Sequence, residues 1–177
     1  IWKKAKYNMP WYVGETVISS IGQGFVLVTP LQIARYTAFL ASGKLPTPHF
    51  SKENYKEPVP IKVNKKHLNK MRKAMYEVAN HPKGTLRNYI RGSKVKIAGK
   101  TGTAQVVGIP QSEKKRMKEY ELEYFHRSHA WVTTYAPYKN PKYVVTIIVE
   151  HGGHGGSAAG KMLKLIYAKL QELKYID

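Results

Sequence analysis

Val95-Lys96-Ile97-Ala98-Gly99-Lys100-Thr101-Gly102-Thr103, followed by the apolar pair Val106-Val107, is the stretch from which the fold can be read. Val95 and Ile97 alternate with Lys96 and Ala98, the two-residue period of a strand with one buried face. Carried past Gly99, the same period puts Lys100 and Gly102 on one face and Thr101 and Thr103 on the other. Gly102 has no side chain, so another backbone can come close there. A cation, two hydroxyls and open backbone N–H groups along one strand suit a carboxylate ligand. The same four residues also fit an ordinary edge strand with a charged outer face.

Working outward, this first strand is predicted at about 94–107, a second at about 129–136 and a third from Tyr143 to Glu150. The third is almost continuously apolar, the pattern of a central strand buried on both faces. Gln111 to Arg127 is charged and mixed in sign, as expected of a solvated excursion between the first two strands. Pro137 to Pro141 makes the second turn.

Helices flank these strands. Thr29 and Gln32 form a capping box, with Pro30 as the first helical residue and Gly43 as the stop. The helix between them is apolar nearly all round, which predicts burial. Asn64 caps a helix over about 65–80, with Leu68, Met71, Met75 and Val78 facing inward. Thr85 opens a short turn of helix through Tyr89. Ser157 is the expected N-cap of a last helix over about 158–173, with Ala159, Met162, Leu163, Ile166, Leu170 and Leu173 as its core stripe. Residues 1–16 read as an irregular, aromatic-packed surface segment. The stretch 17–28 reads as a bend at Gly22 and Gly24, and 44–63 as an extended connection. The expected fold is α+β, an antiparallel sheet covered by helices, in one domain over residues 1–177.

Composition bounds the function. Thirty Lys+Arg against eleven Asp+Glu give a net charge of +19, which favours anionic partners: a carboxylate-bearing substrate, an acidic polymer or a lipid surface. Lysines interleaved with Trp2, Tyr7, Trp11 and Tyr12 could stack on bases, but no recognition fold accompanies them, so nucleic acid is not an expected partner. There is no cysteine, which excludes thiolate metal sites, disulfides and a cysteine nucleophile. No apolar run reaches the roughly 18 residues of a membrane span. The first residues, Ile1-Trp2-Lys3-Lys4, are neither a signal peptide nor a methionine start, as expected of the middle of a longer protein.

Three motifs fail on inspection. Gly155-x-x-x-x-Gly160-Lys161 resembles a phosphate-binding loop, but Met162 stands where a hydroxyl must hold magnesium, and antiparallel connections are the wrong setting. His151 and His154 lie three apart in a glycine-rich turn without a third ligand nearby, so no metal or other cofactor is expected. Nothing local makes His129 a general base. A serine with a lysine three positions on must lie on a helix to share a face. Ser93 with Lys96 runs into a strand, and Ser112 with Lys115 lies in the charged excursion. There is no Ser-x-Asn triplet.

Several blocks then align in one order: Gly14-Glu15-Thr16, Ser19-Ser20-Ile21-Gly22-Gln23-Gly24, Thr29-Pro30-Leu31-Gln32-Ile33-Ala34, Gly99 to Gln105, His129-Ala130-Trp131 with Ala136-Pro137, and Glu150 to Gly156. In these the chain resembles the C-terminal part of class B penicillin-binding proteins, most closely the elongation-type penicillin-binding protein 2 family. The resemblance implies a D,D-transpeptidase that cross-links peptidoglycan stem peptides, is acylated by β-lactams and faces the periplasm at the inner membrane. It implies that Lys100 supplies positive potential and a hydrogen bond, that Thr101, Gly102 and Thr103 line the substrate, and that Gln105 continues along the cleft. The Thr103 hydroxyl would bind the donor peptide's terminal carboxylate, and its backbone N–H would be one oxyanion-hole donor. Strict alternation turns Thr101 away from the face of Lys100 unless twist or a bulge near Gly102 re-aims it. The family's Ser-x-x-Lys and Ser-x-Asn segments do not occur here. The nucleophile is therefore expected N-terminal to this chain, which alone is expected to be inactive. The expected partners are that N-terminal remainder and, in the cell, elongation-complex scaffold and glycosyltransferase proteins. The non-enzymatic alternative is a basic module that binds cell-wall polymer or another anion.

Overall fold

Residues 1–108 and 117–176 are described by the structure, a computed structural model. The chain enters through two short helices, α1 (Trp2–Tyr7) and α2 (Val13–Ser20), rather than the irregular segment its composition predicts. A carboxylate sets the second start: Glu15 reaches back to accept the Tyr12 N–H at 2.7 Å and pairs with the Lys3 ammonium. That signal sits inside the helix, where no Ser or Thr cap announces it. Phe25 gathers the aromatics, its ring 5.5 Å from those of Trp2 and Tyr7 and 6.3 Å from that of Trp11.

Helix α3 (Pro30–Ser42) starts and stops as its caps dictate. Thr29 Oγ1 accepts the Gln32 N–H, Gln32 Oε1 accepts the Thr29 N–H, and Gly43 closes the helix at φ 79°. Its burial is narrower than its all-round apolarity predicts. Thr37, Leu40 and Ala41 are buried, whereas Leu31 and Tyr36 are more than half exposed. The connection after it carries a two-rung ladder, β1 (Lys44–Leu45) with β2 (Val59–Pro60).

Helix α4 (Lys65–Asn80) is capped by Asn64, whose Oδ1 accepts the Lys66 N–H at 2.9 Å. Met75 and Ala79 are buried, but Met71 faces solvent. Arg72 lies on the packed side instead, with Nε donating to the Leu40 carbonyl at 2.6 Å. A periodicity count over apolar residues cannot see an arginine that packs through its stem. A short helix, α5 (Arg87–Ile90), follows one residue later than Thr85 suggests.

Strands β3 (Ala98–Ala104), β4 (His129–Ala136) and β5 (Tyr143–Val149) form an antiparallel sheet in that order. The β3–β4 register runs without interruption from Ala98 opposite Tyr135 to Ala104 opposite His129, so no bulge interrupts it at Gly102. Val95 and Ile97 are buried but precede the ladder, so their alternation reflects core packing rather than pairing. Among the described strands β5 lies outermost, not central, and only its Ile147 is buried. The central strand is β4, where threonines hide the apolar signature. Each threonine is satisfied internally. Thr133 Oγ1 is 2.8 Å from both Thr37 Oγ1 and Thr146 Oγ1, and Thr134 Oγ1 is 2.9 Å from the Tyr167 hydroxyl.

Helix α6 (Ala159–Glu172) starts two residues after Ser157, whose hydroxyl donates back to the His154 carbonyl at 3.0 Å. Ala159, Leu163 and Tyr167 are buried, while Met162 and Leu173 are exposed. Burial pushes the Tyr167 phenol up from its ordinary value of 10.0.

The sheet therefore has two differently covered faces. On one, Leu86, Ile97, Val132, Ile147 and Leu163 form a core under α5 and α6. On the other, Ala98 and Tyr135 pack against Leu40, Ala41 and Met75 from α3 and α4. This second cover ends before the far end of β3.

Candidate functional site

Where that cover ends, a cavity of about 530 Å³ opens between residues 21–28 and the sheet. Lys100, Gly102, Thr103, Trp131, Glu150 and Gln23 are among its walls. Alternation holds along β3. Thr101 turns toward α5, where its hydroxyl meets that of Thr85 at 3.0 Å, and an added Cβ on Gly102 would point at Trp131 Cβ, 3.2 Å away. The re-aiming of Thr101 that a bulge would bring does not occur.

The backbone polarity of β3 follows from two close contacts. The Gln23 side chain donates from Nε2 to the Thr103 carbonyl at 2.8 Å and accepts the Gln105 N–H at 3.2 Å. Both groups therefore point away from β4, to the outer edge. In an antiparallel ladder a residue's N–H and C=O leave on the same side, so the Thr103 N–H also faces outward. Gly102 faces the other way. A Cβ added to Gly155 would fall 2.3 Å from both the Gly102 and Trp131 carbonyl oxygens, which meet in the β3–β4 seam. At the outer edge Lys100 Nζ donates to the Thr101 carbonyl at 2.6 Å. A cation and an outward N–H thus lie three residues apart on one strand edge, where they can hold a carboxylate and stabilise an oxyanion.

The glycine-rich turn supports that edge from behind. Gly155 lies flat on the seam, and any side chain there would displace β3 or β4. Gly160 rests on the Tyr89 ring, with an added Cβ only 2.7 Å from Cγ, and with Lys161 it lies inside α6 rather than in a phosphate loop. His151 and His154 do not converge. The His151 N–H donates to His129 Nδ1 at 2.9 Å, and the His151 ring packs against Tyr124 and Phe125. Among the described residues no three His, Asp or Glu side chains are placed to hold a metal ion. Ser93 Oγ is bound to the Val95 carbonyl at 3.0 Å, whereas Ser112 lies outside the described residues. So does much of the charged excursion. Its described end, 117–127, forms two single-turn 3₁₀ helices and is fastened by Glu119, whose carboxylate accepts from the N–H and hydroxyl of Ser128 at 2.8 Å each.

Lys100, Thr101, Gly102, Thr103 and Gln105 all line the cavity, with the side chains of Thr101 and Thr103 on the strand face opposite that of Lys100. Gln23, Trp131 and Glu150 join them without a local signal. Gln23 lies 80 residues from the carbonyl it binds.

Residues 4–168 match the penicillin-binding protein transpeptidase domain. The peptidoglycan D,D-transpeptidase MrdA of Haemophilus influenzae is 37% identical over 93% of this chain, which corresponds to 27% of that protein. A penicillin-binding protein 2 of Helicobacter pylori, solved in complex with MreC, superimposes with a TM-score of 0.85 at 46% identity, over 99% of this chain and 30% of that one. Pseudomonas aeruginosa penicillin-binding protein 2, solved in complex with WCK 5153, gives a TM-score of 0.70 at 30% identity, over 96% of this chain and 36% of that one. The chain spans under two fifths of each of these relatives.

Proposed function

This chain belongs to the penicillin-binding protein transpeptidase family, and we propose that it supplies one wall of the active site of an elongation-type peptidoglycan D,D-transpeptidase. The observation that carries the proposal is the open outer edge of β3, where the Thr103 N–H and the Lys100 ammonium face the same side. The donor stem peptide lies along this edge. Lys100 draws its terminal carboxylate and orders the groups around the nucleophile. The Thr103 N–H receives the oxyanion as the carbonyl becomes tetrahedral, while its hydroxyl, set by alternation on the face of Thr101, leaves the carboxylate to Lys100. Thr101 contributes through its backbone, Gly102 leaves room for the peptide, and Gln105 carries the edge onward.

The nucleophilic serine and its lysine base come from a part of the protein outside these 177 residues, and the two parts together form the transpeptidase domain. β-Lactams acylate the same serine. The protein works at the periplasmic face of the bacterial inner membrane, held by an anchor outside this chain. Among the described residues no helix is long and apolar enough to cross a membrane. A scaffold protein and a glycosyltransferase are its partners in elongation, a reading supported by the H. pylori relative's complex with MreC.

Fluorescent penicillin tests the reading. The full-length protein takes a covalent label, and residues 1–177 alone take none. Label on the isolated chain would place the nucleophile here and overturn the division of the site. An unlabelled full-length protein would favour a non-catalytic basic module.

A further inference from the structure

We infer that Gln23 is a positioning residue for the Thr103 N–H donor, an inference that rests on the oxyanion role proposed for that group. The β3–β4 ladder ends at Ala104 opposite His129, and past it only contacts on the outer edge can hold the end of the strand. At the end of β3 a side chain does this work. The Gln23 carboxamide carries one donor and one acceptor at about the spacing of a backbone rung. It spends both on consecutive outward groups, the Thr103 carbonyl at 2.8 Å and the Gln105 N–H at 3.2 Å. It therefore replaces one residue of an absent neighbouring strand. The two bonds hold the peptide planes on either side of Ala104 and so brace Thr103 from its C-terminal side, while its outward N–H shares a plane with the Gly102 carbonyl in the seam.

The strap is itself rigidly mounted. Gly22 and Gly24 flank Gln23 at φ 76° and 71°, a left-handed pair that turns the chain back on the end of α2. The Gln23 N–H donates to the Ile18 carbonyl at 3.2 Å, and the Gly22 N–H to that of Ser19 at 3.0 Å. A Cβ on Gly24 would meet Ile18 Cγ2 at 3.0 Å. With the backbone pinned to α2, the one freedom left is the side chain, and it is aimed at β3. Gln23 touches β3 beyond the Thr103 N–H, so its action on the reaction goes through that strand.

The test uses the full-length protein and the acylation rate constant at saturating fluorescent penicillin. Gln23→Ala is expected to slow acylation about 10- to 100-fold, less than the loss of an oxyanion donor itself. The half-saturating concentration and Tm should stay close to wild type. Gln23→Glu gives the sharper readout. Its carboxylate still accepts the Gln105 N–H but opposes the Thr103 carbonyl. Protonated, near the ordinary glutamic acid pKa of about 4.3, it regains a donor. The ratio of Gln23→Glu to wild-type rates should therefore rise as pH falls, which a residue that only supports the fold would not cause. Equal saturating rates for wild type and Gln23→Ala, or a pH-independent ratio for Gln23→Glu, would overturn the inference while leaving the transpeptidase reading intact. A wild-type protein that takes no label would overturn both.

Discussion

The two faces of the β3–β5 sheet are built to opposite ends. The face under α5 and α6 carries a packed core. Leu163 and Val132 interlock there, Tyr167 finds Thr134, and Gly155 lies flat on the strand seam. The other face is covered by α3 and α4 at Ala98 and Tyr135 and then left open at Lys100, Gly102 and Trp131. One strand serves both, since alternate residues of β3 belong to alternate faces. The difference shows how the fold can hold a site firmly without filling it: rigidity comes from the closed side, and access from the side where the cover stops.

Substitutions in the full-length protein separate the two. Leu163→Ala removes a fully buried side chain from the closed face and is expected to cost about 3 kcal/mol in urea unfolding. Labelling of the molecules that remain folded should be unchanged. Lys100→Ala, on the open side, should leave the unfolding midpoint in place and slow acylation about 100-fold, close to 2.7 kcal/mol of barrier. Unchanged labelling would remove Lys100 from the site. Gly155→Ala should join both readouts. Its methyl group must push β3 from β4 at Gly102, at a cost of about 2 kcal/mol, and it should slow acylation as well. Thr134→Val leaves the buried Tyr167 hydroxyl without its partner and should cost about 1 kcal/mol with no effect on labelling.

The smallest effect lies far from both faces. Lys3, then the Tyr12 N–H, hold the Glu15 carboxyl below its ordinary 4.5. A depressed carboxyl contributes stability above its unfolded value, and that contribution is lost as pH falls through the folded one. Fluorescence of Trp2 and Trp11 should therefore report a loosening of α1 and α2 in acid below about 4.5, and Glu15→Gln should flatten that transition. An unchanged acid profile would mean that the pair does not hold this segment.

What the sequence reveals depends on how local the controlling force is. Thr29, Gln32 and Gly43 bound α3 correctly because caps act over a few residues. Alternation at Lys100 to Thr103 survives intact because the register has no bulge. Nonlocal satisfaction is what misleads. β4 reads as the less buried strand because its threonines find partners on α3, β5 and α6, none of which its own sequence announces. Met71 yields the packed face of α4 to Arg72, whose guanidinium needs the Leu40 carbonyl 32 residues away. The polarity of the site is hidden in the same way. Which edge of β3 carries the Thr103 N–H becomes visible only through Gln23.

The hydroxyls of Thr37, Thr133 and Thr146 also constrain how this sequence can change. They form a continuous polar line from α3 across β4 to β5. A valine at the middle position strands two oxygens at once, whereas valines at all three leave nothing unpaired. The three positions should therefore drift together or not at all, and a cycle of single and multiple variants should show coupling well beyond additivity. The line also works as a register key. Slide β4 by one residue and its threonine hydroxyls fall on the wrong face, so the pairing that sets Lys100 opposite Thr133 is the one that keeps the threonine oxygens satisfied.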